Sequence, residues 1–327
     1  MKASDIFGTE AADPGACIGC GVCMLSCPVW QQHHTQELTY CGRARAAMSG
    51  AGEEDCARSV QACILCGSCE PLCHRGIATT IHTIQLRQLL ARRGLLPGAN
   101  TANIAGSPQK ATAARIFLPG AALRSRTQLL ERVLRFLNAK GEKPHCAADD
   151  GTDIVLALES GGEIKSERFE AFFGSLRGAG EIIASDGLLV SLLPRMLGPE
   201  VHICGLGPVL LGNEQVRSGV RSSDFYMIET RAYNAHRNTQ VMLYESLRRG
   251  SGCSMNLDLH RVATPTGVMG PNERAGMPSA VSVEEQVRWL LEGRRAERIV
   301  VEHPDDGAAF ERYTSLPVVH LAEVAGP

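Results

Sequence analysis

The stretch that decides the fold reads Cys17-Ile18-Gly19-Cys20-Gly21-Val22-Cys23-Met24-Leu25-Ser26-Cys27-Pro28, and its pattern recurs as Cys63-Ile64-Leu65-Cys66-Gly67-Ser68-Cys69-Glu70-Pro71-Leu72-Cys73-His74. Both runs follow C-x2-C-x2-C-x3-C, with proline after the first and histidine after the second. Ten of the 13 cysteines fall before residue 74, so the thiols are concentrated at one end of the chain. Three thiolates two residues apart can wrap a tight turn around three corners of one iron–sulfur cubane. The fourth sits about a helical turn further on and points away towards a second cubane. Zinc usually takes separated C-x2-C pairs, and disulfide frameworks belong to small secreted domains. The spacing therefore favours [4Fe–4S] clusters.

In bacterial ferredoxin runs of this kind the fourth cysteine serves the other cluster. The expected sets are Cys17, Cys20, Cys23 and Cys73 for one [4Fe–4S] cluster, and Cys63, Cys66, Cys69 and Cys27 for the other. Gly19, Gly21 and Gly67 leave room for backbone amides to approach the sulfides and tune the potential. Cys41 and Cys56 lie outside the runs and read as packing residues, because a free cysteine behaves as a small hydrophobe, with ligation or redox sensing as the alternative. His33 and His34 read as solvated or satisfied in the core, since eight thiolates already supply the ligands. His74, next to a ligand, could donate to a cluster sulfur and raise its potential.

Between the runs stands Thr39-Tyr40-Cys41-Gly42-Arg43-Ala44-Arg45. After the second come Arg75-Gly76-Ile77 and a helical stretch from Thr80 to Arg93 with Ile81, Ile84, Leu86, Leu89 and Leu90. Residues 10 to 95 resemble the α-helical dicluster ferredoxin domain of the glycolate oxidase iron–sulfur subunit, the lactate-utilisation proteins and the heterodisulfide reductase C/D subunits. Cys41-Gly42-Arg43-Ala44-Arg45 partly echoes their P-R-G-R segment, and Cys73-His74-Arg75-Gly76-Ile77 matches C-P-x-G-[IV] except at His74. The resemblance implies an electron-transfer subunit working between an FAD-containing dehydrogenase of the 2-hydroxy-acid type and a quinone or other acceptor. It leaves open a heterodisulfide reductase-like or hydrogenase-linked carrier. An iron–sulfur scaffold or redox sensor is the alternative from another class. Catalysis by this chain itself is not expected, because a tetrathiolate cubane has no open site for substrate.

The rest of the chain reads differently, and the fold expected is α+β overall. A mainly helical dicluster ferredoxin domain spans 1–95, a linker spans 96–112, and an α/β domain with a mostly parallel sheet spans 113–327. Short apolar strands alternate with helices: strands Ile154 to Leu158, Glu181 to Ala184, Val201 to Cys204, Asp224 to Ile228, Arg298 to Val301 and Val318 to Leu321. Residues 116 to 138 read as an amphipathic helix, with Leu123, Leu130, Leu134 and Leu137 on one side and Arg124, Arg126, Arg132 and Arg135 elsewhere. Its basic face is either solvated or a docking face for an acidic partner or an anionic membrane. In the relatives named above this half carries cysteine-rich CCG repeats that bind a further cluster. Here only Cys146, Cys204 and Cys253 remain, and Glu302-His303-Pro304-Asp305-Asp306 stands where a cysteine pair would be expected. The domain therefore resembles a cysteine-depleted CCG domain, which counts against thiol–disulfide chemistry.

Gly205-Leu206-Gly207 follows a strand but fails as a dinucleotide turn, because position 210 is Leu and Pro208 removes an amide donor. In open parallel sheets ligands sit beyond the carboxyl ends of the strands. Glu159, Cys204, Glu229, Arg231, His303 and Asp305 follow predicted strands, and are expected to line one edge that docks a partner's cofactor domain or a small acidic ligand. A net charge of −2 argues against a nucleic-acid partner. The longest uncharged apolar run, Val201 to Asn213, is 13 residues, short of the roughly 18 a transmembrane helix needs. Asp5, Glu10 and Asp13 interrupt any secretory h-region. The expectation is a cytoplasmic chain, with peripheral contact at the inner face of the membrane left open.

Overall fold

The computed structural model describes residues 14–96, 113–138 and 143–325. Asp5, Glu10 and Asp13, and all of the expected linker after its first residue, lie outside the described residues. The cysteine-rich segment is built from short helices, Pro28–His33, Tyr40–Met48, Ala57–Ala62 and Thr79–Arg92, joined by 3₁₀ turns. Pro28 opens the first, where its missing N–H costs nothing. Thr39 caps the second by accepting from the Gly42 N–H at 3.1 Å. Gly42 is needed there, since a Cβ would overlap the Gln36 carbonyl.

The second region holds two four-stranded parallel sheets. The first contains β1 (Arg115–Leu118), β2 (His145–Cys146), β3 (Glu181–Ala184) and β4 (His202–Gly205) in the order β2-β1-β3-β4. The second contains β5 (Asp224–Met227), β6 (Ser254–Met255), β9 (Arg298–Val301) and β10 (Val318–His320) in the order β10-β9-β5-β6. Between them in sequence, β7 (Leu257–Asp258) and β8 (Val262–Ala263) form an antiparallel pair. Read from β6, the second sheet repeats the order of the first, so the region is one topological unit used twice.

Strand periodicity of two explains how the layers join. Ile116, Leu118, Ile182 and Ala184 pack into a core with the helices Thr152–Ser160, Ser166–Leu176 and Gly187–Leu197. Their neighbours Phe117 and Ile183 face the other way, into a core shared with Tyr226 and Val300 of the second sheet. Phe225, Met227, Ile299 and Val301 then face a third core with the helices Val283–Leu291 and Pro304–Tyr313. The chain is thus α+β overall, helical at its N-terminal end and parallel α/β beyond. Among the described residues no helix is long and apolar enough to cross a membrane.

Two expected elements are corrected. Ile154 to Leu158 is helical, within Thr152–Ser160, because Gly151 and Gly161 bracket it in the left-handed region (φ 71° and 80°) and close a nine-residue helix. A short apolar run does not tell a buried strand from a buried helix. The single helix over 116–138 is instead β1, then the helices Gly120–Arg124 and Thr127–Leu137, with Pro119-Gly120 making the break. Arg124, still exposed, pairs with Asp150 at 2.5 Å, which offsets part of the expected basic charge.

The cysteine-rich segment is packed onto this frame. Leu65, Ile81 and Ile84 join the core of the first sheet. Arg87 donates to the Glu159 carbonyl at 2.5 Å and Gln88 to the Gly162 carbonyl at 2.8 Å. Gly161 permits the approach: a Cβ there would lie 2.6 Å from the Arg87 carbonyl oxygen. Deeper in the second half, Glu302 accepts from the Tyr226 and Tyr244 hydroxyls, both at 2.7 Å, and from the Glu229 N–H at 2.9 Å. Burial pushes its carboxyl up to about 7. Gly207 is glycine because a Cβ would run into that carboxyl group, so the Gly205-Leu206-Gly207 turn faces an acid, not a phosphate.

Two outcomes follow from these contacts. Gly161→Ala should cost about 1–3 kcal/mol, from the positive φ and the crowded Arg87 carbonyl, and should show as a lower urea midpoint. Glu302 titrates near 7 in the folded chain against an ordinary 4.5, so the folded state holds the extra proton and stability falls as pH rises between those values. The neutral Glu302→Gln can still accept from the Glu229 N–H and bond the tyrosine hydroxyls. Its stability relative to the parent should therefore climb between pH 5 and pH 8, by at most about 3 kcal/mol. Parallel urea-unfolding profiles for the two proteins across that range would contradict this assignment.

Candidate metal centre

The two cysteine runs share a backbone. Gly19 and Leu65 occupy equivalent positions at φ 69° and 56°, and Gly21 and Gly67 at 76° and 69°. These left-handed residues turn the chain so that successive thiols face inward. Leucine in that region is strained, and it is retained because the Leu65 side chain, only 1% exposed, fills the core against Ile81 and Ile84.

Two neighbouring cavities result. One is lined by Cys17, Cys20, Cys23 and Cys73. The other is lined by Cys27, Cys63, Cys66 and Cys69. The fourth cysteine of each run therefore borders the cavity of the other run. Cys23, Tyr40 and Thr79 border both and form the wall between them. All of these cysteines are unpaired with one another. Burial pushes the Cys23 thiol up to about 12, with Cys41 and Cys73 adding to it; burial and Cys66 do the same to Cys27. A buried thiolate needs nearby positive charge, which bound iron supplies. A soft, all-thiolate donor set in two buried pockets fits iron–sulfur clusters.

The two cavities differ in their surroundings. Arg43 lines the second, buried, donating to the Ser59 carbonyl at 3.1 Å and to the Thr83 hydroxyl, while its Nε has no partner. Arg87 donates to the Cys63 carbonyl at 2.5 Å; burial lowers it to about 10, which leaves it cationic at neutral pH. Arg231 reaches the Ile64 carbonyl at 3.4 Å. The first cavity faces solvent: Cys20 is exposed and Ile18 is 65% exposed. His74 lies exposed on its rim, whereas His33 bonds the Ala280 carbonyl and His34 stacks edge-on to Trp30. Cys56 packs with Val60 and Leu90. Cys41 is buried, as a packing residue would be, and also borders the first cavity. No spacing rule marks it, since it lies well outside both runs.

Most of the expected charged edge does converge, at the carboxyl ends of β3, β5 and β9. Arg231 pairs with Glu159 at 2.5 Å, Arg274 with Glu159 and with Asp186, both at 3.1 Å. Glu229 caps the helix Thr230–Ala235, and His303 lies 3.9 Å from Asp305. Against the penalty of full burial, Arg274 and Arg231 hold Asp186 down to about 2. Burial pulls His303 down to about 4 and pushes Glu229 up to about 8, so both are largely neutral at pH 7. The edge is not open to a partner or ligand: Glu159, Glu229, Arg231 and His303 are buried, and Arg231 spends its second amino group on the Met269 and Ile64 carbonyls. Glu159 arrives from a helix end, not a strand, and Cys204 turns away into the core towards the Ile182 carbonyl. Asp186 and Arg274 had no mark in the sequence. The first reads as a helix cap, and the second lies in a loop bearing only the four-residue helix Pro271–Arg274.

Comparison with known proteins agrees with this geometry. Residues 14–77 match the 4Fe-4S dicluster domain family. Over 68 residues the chain is 37% identical to the "Probable glycolate oxidase iron-sulfur subunit" of Bacillus subtilis (strain 168). That stretch is 19% of this chain and only 15% of the relative's length. Residues 14–77 therefore form a 4Fe-4S dicluster domain, and the chain is an iron–sulfur protein similar, in that segment, to a glycolate oxidase iron–sulfur subunit.

Proposed function

We propose that this chain is an electron-transfer subunit holding two [4Fe–4S] clusters, with Cys17, Cys20, Cys23 and Cys73 around one and Cys63, Cys66, Cys69 and Cys27 around the other. The observation that carries the reading is the pair of thiol-lined cavities with a common wall at Cys23, Tyr40 and Thr79. When bound, the clusters supply reversible one-electron transfer, and four thiolates each leave no site for substrate. The chain's own residues set the direction. Cys20, with exposed Ile18 and Leu25 beside it, is where a redox partner can approach. Arg43, Arg87 and Arg231 offset the negative charge at the second site and hold its potential higher, because nearby cations favour the reduced form.

The partner in this reading is an FAD-containing dehydrogenase acting on a 2-hydroxy acid, and the acceptor is a quinone or another carrier. The named relative supports that choice. A disulfide-reducing role finds less support: Cys146 and Cys204 stand on opposite edge strands of the first sheet, and Cys253 precedes β6.

Anaerobically purified protein should contain about eight iron and eight sulfide per chain. Cys27→Ala should remove the same paramagnetic signal as Cys63→Ala and leave the signal lost in Cys17→Ala; the opposite grouping would overturn the ligand sets. Arg43→Gln should lower the midpoint potential of the second cluster by several tens of millivolts in an EPR-monitored titration, with the first little changed. Native affinity purification should bring down a stoichiometric flavoprotein. Recovery of a heterodisulfide reductase-like or hydrogenase partner, or of the chain alone with intact clusters, would reject the proposed partner.

A further inference from the structure

The first cavity holds one thiol more than a cubane can use. Cys41 borders it together with Cys17, Cys20, Cys23 and Cys73, and is only 1% exposed. Its position is held firmly. It sits in the first turn of the helix Tyr40–Met48, behind the Thr39 cap, with the following Gly42 pressed onto the Gln36 carbonyl. The Gln36 side-chain amide approaches its sulfur at 3.9 Å. Cys56, the other cysteine between the two runs, borders neither cavity and packs with Val60 and Leu90.

Cys20 is the opposite case. It is exposed, sits between two left-handed glycines at φ 69° and 76°, and has Ile18 beside it in solvent. Of the four motif thiols in this cavity it is the one that water and oxidants reach most readily. Four iron corners and five thiols leave one thiol in reserve.

We infer that Cys41 is a reserve ligand of the first cluster site, which takes over the iron corner of Cys20 when the Cys20 thiolate dissociates or the residue is replaced. The inference rests on the two-cluster reading above. In the exchange the Fe–S bond to Cys20 breaks and one to Cys41 forms. The Cys41 thiol gives up its proton to water, the departing Cys20 thiolate takes one up, and no electron moves. Such a site would keep the solvent-facing cluster intact through loss of its most accessible ligand.

The test uses the full chain, prepared anaerobically as the parent, Cys20→Ala, Cys41→Ala and the double variant. Iron, sulfide and the EPR spectrum of the reduced protein are measured on each. Cys20→Ala should keep about eight iron with an altered first-cluster signal, and Cys41→Ala about eight with little spectral change. The double variant should fall to about four while keeping the second-cluster signal, which separates loss of a ligand from loss of the fold. A fall to about four iron in Cys20→Ala alone would overturn the inference, as would loss of the first cluster in Cys41→Ala alone. About four iron in the unsubstituted protein would instead defeat the two-cluster reading on which it rests.

Discussion

Arg231 occupies the point where the molecule is tied together, and the constraint it answers is that a buried charge must be paired. Its guanidinium pairs with Glu159 from the helix Thr152–Ser160, and donates to the Ile64 carbonyl in the second cysteine run and to the Met269 carbonyl. Arg274 completes the balance by binding Glu159 and Asp186. Two cations and two carboxylates thus satisfy each other where the parallel strands end. Removing either arginine would leave two buried carboxylates facing one cation, a penalty of several kcal/mol that solvent could not offset.

That arrangement explains why the charged cluster is closed at the carboxyl ends of β3 and β5, where parallel sheets usually bind ligands. The second cysteine run fills the space. Ser68 donates to the Ala263 carbonyl at 3.0 Å and Asn234 to the Ser68 hydroxyl at 3.1 Å, so the loop bearing Cys66 and Cys69 is bonded directly to the frame. The α/β region in effect serves as a rigid support for the thiols. Its two halves share one strand order, and the charged cluster lies where their strand ends converge on the cysteine-bearing loop.

The same packing makes the two thiol sites unequal. The second is enclosed by Arg43 and by the arginine-bound carbonyls of Cys63 and Ile64, whereas the first keeps one thiol at the surface. An electron path needs such a difference, because two identical centres would impose no direction. The local cysteine pattern is nearly the same in both runs, so the asymmetry comes from what each run is packed against.

How much of this was legible follows from the range of the forces involved. The cysteine spacing alone marked the eight thiols that line the two cavities, because a cubane calls for thiolates at short fixed intervals and few other structures do. Strand–helix alternation likewise determined the parallel region, with Glu181–Ala184 and Arg298–Val301 marked by their own apolar runs. The helix at 152–160 escaped because its apolar run is unbroken from Ile154 to Leu158, with Leu156 exposed and Asp153 buried, which erases the periodicity that separates helix from strand. Only the tertiary structure decided that Cys41 joins the first thiol site, that Asp186 and Arg274 complete the charge network, and that the charged edge is closed by the chain itself. Those contacts link residues up to about 170 positions apart, as in Arg231 with Ile64. Burial and charge pairing act through space, and no local spacing in the chain records them.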